Sequence, residues 1–171
     1  MSDRQGAHDL AVRLVAELTG RRMTIAVAES LTGGLVVAEL VGVPGASAVV
    51  RGGVVAYATE LKSTLLGVDA RLLAERSPID PDVARQMASG VRQRLGHDGA
   101  PADLGLATTG VAGPDPQDGH PVGEVWIGLA MGTPLGERVE ARGLTLGGDR
   151  ASIRSATVSE SLMFALELLA E

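Results

Sequence analysis

The chain of 171 residues carries 15 basic and 21 acidic side chains, a formal charge of -6, and three aromatic residues, Tyr57, Trp126 and Phe164. This balance offers neither a broad phosphate-neutralising face nor a base-stacking platform, so no nucleic-acid partner is expected. The lack of cysteine excludes disulfides, thiolate catalysis and Cys-ligated zinc.

Hydrophobic residues make up 45% and the mean hydropathy is +0.20, enough for a real core in one domain, 1–171. No N-terminal apolar segment resembles a signal peptide, and no apolar run is long enough to span a bilayer, so we expect a cytoplasmic protein with no membrane partner. His8, His97 and His120 are dispersed and never pair on one helical face, so no metal site is expected and each reads as a solvated surface residue.

In chain order, Leu10, Leu14, Val15 and Leu18 form the stripe of an amphipathic helix over residues 7–19. A short strand over 24–28 runs through the turn Glu29-Ser30-Leu31-Thr32-Gly33-Gly34 into an apolar helix over 35–41, which Pro44-Gly45 ends. A second strand, 49–57, is interrupted by Gly52-Gly53, where a bulge or a close backbone approach is expected. A short helix over 59–66 carries Lys62. Asp80-Pro81 is a helix start, followed by Val83, Met87, Val91 and Leu95 at fourfold spacing and stopped by Gly96. Residues 104–108 form a third strand that enters the turn-rich 109–115 segment. Two further strands, 122–130 and 138–146, read as an antiparallel pair, and Asp149 caps a last helix whose Ile153, Leu162, Leu166 and Leu169 face inward. Alternating helices and strands predict an α/β protein, a three-layer α/β/α sandwich with a mixed β-sheet.

Three places could carry chemistry. Ser30 lies at the carboxyl end of a strand and the start of a helix, where open α/β sheets place ligands and where N–H groups around Thr32, Gly33 and Gly34 can face an oxyanion. Equally, Ser30 or Thr32 is a plain N-cap and the glycines permit tight packing. A serine nucleophile needs a base, and no histidine is well placed. Lys62 is the only lysine, and a buried lysine can lose its proton near neutrality where an arginine cannot; a solvated surface lysine is the alternative. The loop holding Thr109, Gly110, Ala112 and Gly113 exposes backbone N–H groups suited to an anion or oxyanion, yet lacks a P-loop lysine and a dinucleotide fingerprint, and a simple turn explains it as well.

Together, Ala28-Glu29-Ser30-Leu31-Thr32-Gly33-Gly34, Tyr57-Ala58-Thr59-Glu60-Leu61-Lys62, Leu66-Gly67-Val68, Gly110-Val111-Ala112-Gly113-Pro114, Pro121-Val122-Gly123 and Gly148-Asp149-Arg150 resemble the C-terminal domain of the CinA competence/damage-inducible family. The resemblance runs in order along nearly the whole chain. Stand-alone members of that family include PncC-type nicotinamide-nucleotide amidohydrolases, which deamidate nicotinamide mononucleotide (NMN) to nicotinic acid mononucleotide and ammonia.

The resemblance implies Ser30 as nucleophile, Lys62 as general base and Tyr57 as a third member that relays the proton or holds the geometry, with no metal or cofactor. Backbone N–H groups near Thr32 to Gly34 or Gly110 to Ala112 would hold the oxyanion, and Arg150 would pair with the substrate phosphate or else form a surface ion pair with Asp149 or a neighbouring glutamate. The family commonly has Asn at the position of Thr59 and Ser at that of Thr109. Larger CinA proteins carry an N-terminal domain linked to ADP-ribose pyrophosphatase activity, for which 171 residues leave no room. The alternative is a catalytically inactive CinA-like regulatory or interaction protein of competence or DNA-damage physiology. Short apolar elements and high hydropathy also predict a homo-oligomer, a dimer or larger.

Overall fold

The structure, a computed structural model, describes residues 2–171. Helix α1 (Ser2–Arg21) leads into β1 (Ile25–Glu29), α2 (Leu35–Val41), β2 (Val50–Val55), α3 (Thr59–Leu66), α4 (Ala70–Arg76) and α5 (Pro81–Arg94). Strands β3 (Leu104–Gly110), β4 (Glu124–Thr133) and β5 (Gly136–Thr145) follow, and α6 (Arg150–Ala170) closes the chain. The strands form one sheet in the order β2-β1-β3-β4-β5. The first three are parallel, whereas β3–β4 and β4–β5 pair antiparallel, so the sheet is mixed.

Alternation along the central strands sends their residues to two different cores. Ile25 and Val27 of β1, Leu104 and Leu106 of β3, and Ile127 and Leu129 of β4 pack under α1, α2 and α6. On the opposite face Ala26, Ala28, Ala107 and Ala130 meet Val83, Met87, Ala88 and Val91 of α5, with Leu66 of α3 beside them. That second face is tiled with small side chains so that α5 can press its backbone onto the sheet. A Cβ on Gly105 would lie 2.1 Å from the Ala88 carbonyl oxygen, and one on Gly128 would lie 2.0 Å from that of Ala84.

The expected helix starts are present. Asp80 accepts the Asp82 N–H at 2.7 Å with Pro81 in the first turn of α5, and Asp149 accepts the Ser152 N–H at 2.8 Å at the start of α6. At the bulge expected near Gly52-Gly53, the β1–β2 register slips between Ile25 and Ala26, so Ile25 faces Val50 but Ala26 faces Gly52. A Cβ on Gly53 would meet the Val37 side chain at 3.1 Å, which is the close approach of α2. Helix α4 has no counterpart in the sequence reading: it buries no residue fully and so shows no apolar stripe, and it is started by Asp69, which accepts the Arg71 N–H. No helix among the described residues is long and apolar enough to cross a membrane.

Candidate active site

Strand β1, interior to the sheet, delivers Ser30 at its carboxyl end immediately after Glu29, and the Ser30 N–H continues the parallel ladder by donating to the Thr108 carbonyl at 3.0 Å. The chain then reverses, with the Gly33 N–H donating to the Ser30 carbonyl at 3.1 Å. Gly33 and Gly34 take φ of 62° and 98°, left-handed conformations that a side chain disfavours, so the pair makes this tight entry into α2 possible.

Across from Ser30, α3 brings in Lys62. Its Nζ donates to Ser30 Oγ at 3.1 Å, to the Ala56 carbonyl at 2.9 Å and to the Tyr57 carbonyl at 3.5 Å. Lys62 is only 1% exposed and no carboxylate pairs with it among the described residues. Burial therefore lowers its pKa from 10.5 to about 8, against a smaller raising effect of nearby Glu60. Ser30, 8% exposed, opens into a cavity of ≈ 150 Å³ shared with Lys62, Tyr57, Thr109 and Arg150. A buried amine held on two carbonyls and a serine hydroxyl has the hydrogen bonds that a neutral general base requires.

Tyr57 stands at the rim, 59% exposed. Its hydroxyl accepts from the Arg150 guanidinium at 2.9 Å, and Arg150 also donates to the Gly113 carbonyl at 2.7 Å. Only the Tyr57 backbone reaches Lys62, so the side chain does not relay a proton between Lys62 and Ser30 in this geometry. It holds Arg150 over the cavity instead, and among the described residues Arg150 forms no ion pair with Asp149 or a glutamate, the alternative for it.

Two of the oxyanion donors expected from the glycine turn, Gly33 and Gly34, are corrected by the hydrogen bonds. The Gly33 N–H is spent on Ser30, and the Gly34 N–H donates to the Glu29 carboxylate at 3.0 Å. Glu29 is buried and also accepts the Val36 and Val37 N–H groups at 3.0 and 2.8 Å, so it is the anion that occupies the start of α2. The Thr32 hydroxyl is turned inward, 2.8 Å from that of Thr108, while the Thr32 N–H has no protein acceptor among the described residues. The N–H of Leu31, directly after the serine, makes no hydrogen bond to protein among the described residues, and Leu31 lines the cavity.

Gly110, Ala112 and Gly113 line the same cavity. The Val111 N–H is committed to the Glu124 carbonyl at 2.9 Å, while the Ala112 N–H has no protein acceptor among the described residues. Thr109 also lines the wall, its hydroxyl donating to the Pro78 carbonyl at 2.6 Å and thereby fastening the 77–80 segment beside Ser30. Thr59 lies on the same cavity.

Two residues that position the serine escaped the sequence reading. Glu29 is the first, and Arg154 of α6 is the second: its guanidinium donates to the Leu31 and Thr32 carbonyls, both at 2.9 Å. The adjacency of Glu29 to Ser30 was the available signal for the one; the helical spacing of Arg154 from Arg150 was the faint signal for the other. Among the histidines, His97 is exposed beside Asp98, but His120 is half-buried and bonded to Ser77 and Glu124, contrary to the surface reading. Among the described residues no group of His, Asp and Glu could hold a metal ion.

The chain is 50% identical over 153 residues to a CinA-like protein of Frankia casuarinae and 42% identical over 161 residues to a putative competence-damage inducible protein of Geobacillus kaustophilus. These alignments cover 90% and 94% of the chain but 33% and 37% of the relatives, so it spans about a third of their length. Among solved structures, the competence/damage inducible protein CihA of Agrobacterium tumefaciens superposes with a TM-score of 0.86 at 32% identity, covering 97% of this chain and 96% of that one. A CinA superfamily protein of Klebsiella pneumoniae gives 0.88 at 29% identity, covering 96% and 98%. The model of the CinA C-terminal domain matches residues 7–169, and the chain belongs to that family.

Proposed function

We propose that the chain is an amidohydrolase that deamidates NMN to nicotinic acid mononucleotide and ammonia, with Ser30 as nucleophile and Lys62 as general base. The observation that carries this reading is the buried Lys62 Nζ 3.1 Å from Ser30 Oγ with its pKa lowered to about 8. A base titrating near neutrality can take the serine proton, whereas a lysine at its ordinary value could not.

In this mechanism neutral Lys62 accepts the hydroxyl proton as Ser30 Oγ attacks the carboxamide carbon. Negative charge on the carbonyl oxygen is met by the free N–H of Leu31, with the Ala112 N–H across the cavity as second donor. The Lys62 ammonium protonates the departing nitrogen and ammonia leaves. Water, deprotonated by the same amine, then hydrolyses the acyl-enzyme. The Lys62 bonds to the Ala56 and Tyr57 carbonyls aim the amine at the serine throughout.

The cavity of ≈ 150 Å³ admits the carboxamide-bearing end of the substrate and leaves the remainder at its mouth. There Arg150, held by Tyr57 and Gly113, presents a planar donor fork suited to phosphate. Presence of both Ser30 and Lys62 in bonding contact favours catalysis over a purely regulatory role. The test is a comparison of NMN, nicotinamide riboside, nicotinamide and glutamine: NMN is expected to be the best substrate by kcat/KM, and equal or better turnover of glutamine would refute the assignment.

A further inference from the structure

A second serine, outside the Ser30 cavity, also has the surroundings of a nucleophile. Ser77 ends α4 with φ 78° and ψ 166°, a backbone region that is nearly glycine's alone and is held only where neighbours dictate it. Its Oγ lies 3.0 Å from His120 Nε2, and His120 Nδ1 lies 3.0 Å from Glu124 Oε2. A carboxylate can only accept, so in the neutral imidazole Nδ1 carries the proton and Nε2 offers its lone pair to the Ser77 hydroxyl.

The supporting contacts are in place as well. The other Glu124 oxygen accepts from Trp126 Nε1 at 3.3 Å, which fixes the carboxylate on β4. Paired backbone bonds between Gln117 and His120, at 3.1 and 2.8 Å, hold the turn that carries the imidazole. Ser77 Oγ accepts the Ile79 N–H at 3.1 Å, leaving its own proton for His120. An open cavity of ≈ 390 Å³ lies against Ser77, with Thr59, Arg76 and Asp118 on its walls.

We propose that Ser77, His120 and Glu124 form a second nucleophilic site, distinct from Ser30, that accepts small carboxylic esters. Such a constellation is recognised by geometry and roles and recurs on unrelated folds. Ser77 Oγ attacks the ester carbon while its proton passes to His120 Nε2, and Glu124 stabilises the imidazolium. That proton goes to the leaving oxygen as the C–O bond breaks, releasing an alcohol and leaving an acyl ester on Ser77. Water, deprotonated by His120, attacks the acyl carbon; the bond to Oγ breaks, the carboxylic acid departs and Ser77 recovers a proton. The side-chain donors on the cavity wall that can meet the transient negative charge are the Thr59 hydroxyl and the Arg76 guanidinium, the latter also paired with Asp82 at 2.8 Å.

The experiment uses the full chain carrying Ser30→Ala, so that the first serine cannot contribute. A fluorophosphonate probe is added, the modified peptide is located by mass spectrometry, and p-nitrophenyl acetate hydrolysis is followed in parallel. Labelling at Ser77 is expected, falling at least tenfold in S30A/H120Q, together with ester hydrolysis that is lost in S30A/S77A. S30A/E124Q, expected to label at least fivefold more slowly, provides a second variant, and melting transitions of all four proteins identify any that fails to fold. Absence of label on Ser77, or labelling at the same rate in well-folded S30A/H120Q, overturns the proposal. Either result leaves the Ser30 reading untouched, because that serine is absent from the protein tested.

Discussion

Lys62, the only lysine in the chain, places its Nζ 3.1 Å from Ser30 Oγ inside a largely closed pocket. Desolvation there disfavours the ammonium, and no carboxylate pairs with it among the described residues to restore it. Replacing Lys62 with Arg keeps the positive charge and removes the ability to release a proton. We predict that Lys62→Arg and Ser30→Ala each lower kcat by about a thousandfold or more. Steady-state ammonia release from folded proteins checks this.

The lowered lysine pKa sets the direction of the pH dependence. Activity requires the neutral amine, so kcat/KM is predicted to rise through about pH 8 and level off above it. A profile flat from mildly acidic to alkaline pH would remove Lys62 from the role of base.

The same shift has a counterpart in stability. The folded state gives up the Lys62 proton near 8 and the unfolded chain near 10.5, so between these values the unfolded state binds more protons and stability rises with pH. Lys62→Met, which cannot titrate, should lose this component. The difference between the two proteins is expected to be on the order of 3 kcal/mol across the window, one unit being about 1.4 kcal/mol, and denaturant melts at pH 7 and pH 10.5 measure it.

Arg154 acts on Ser30 through the turn that follows it, by its bonds to the Leu31 and Thr32 carbonyls. Arg154→Lys cannot span both oxygens in the same fork. A fall in kcat of about tenfold with little change in KM is predicted, since positioning of the serine and the Leu31 N–H is lost while the phosphate end of the pocket is kept. An unchanged kcat would show that the turn holds itself.

Glu29 tests the anion at the start of α2. Glu29→Gln removes the charge and one of the acceptor oxygens that take the Gly34, Val36 and Val37 N–H groups. Bonds to a charged group contribute about 1.5–3 kcal/mol each, so a loss of roughly 2–4 kcal/mol is predicted from denaturant unfolding.

How much of this could be read beforehand follows from the kind of signal each feature leaves. Strands β1 and β3 announced themselves through short apolar runs, and α5 and α6 through Asp caps that bond as expected. Helix α4 left no trace because a short, half-exposed helix needs no apolar stripe. Ser30 and Lys62 were legible as candidates, one from its strand-end position and one from its rarity, but their contact depends on the tertiary placement of α3 beside the turn that follows β1. The glycine turn misled because its N–H groups, free in a generic helix start, are taken here by Ser30 and Glu29. Backbone acceptors leave no residue-type signature, and neither does a buried carboxylate that serves its own helix. Tyr57 was found at the site with its hydroxyl turned to Arg150, a pairing 93 residues apart that no local pattern encodes.

The most direct measurement is ammonia release from NMN by the purified chain, with nicotinic acid mononucleotide identified as the second product and Ser30→Ala as the control. Stoichiometric ammonia and acid from the parent protein, and neither from the folded variant, is the predicted result. No ammonia from a folded, homogeneous preparation, or equal ammonia from Ser30→Ala, would contradict the assignment of Ser30 and Lys62 as an amide-hydrolysing pair.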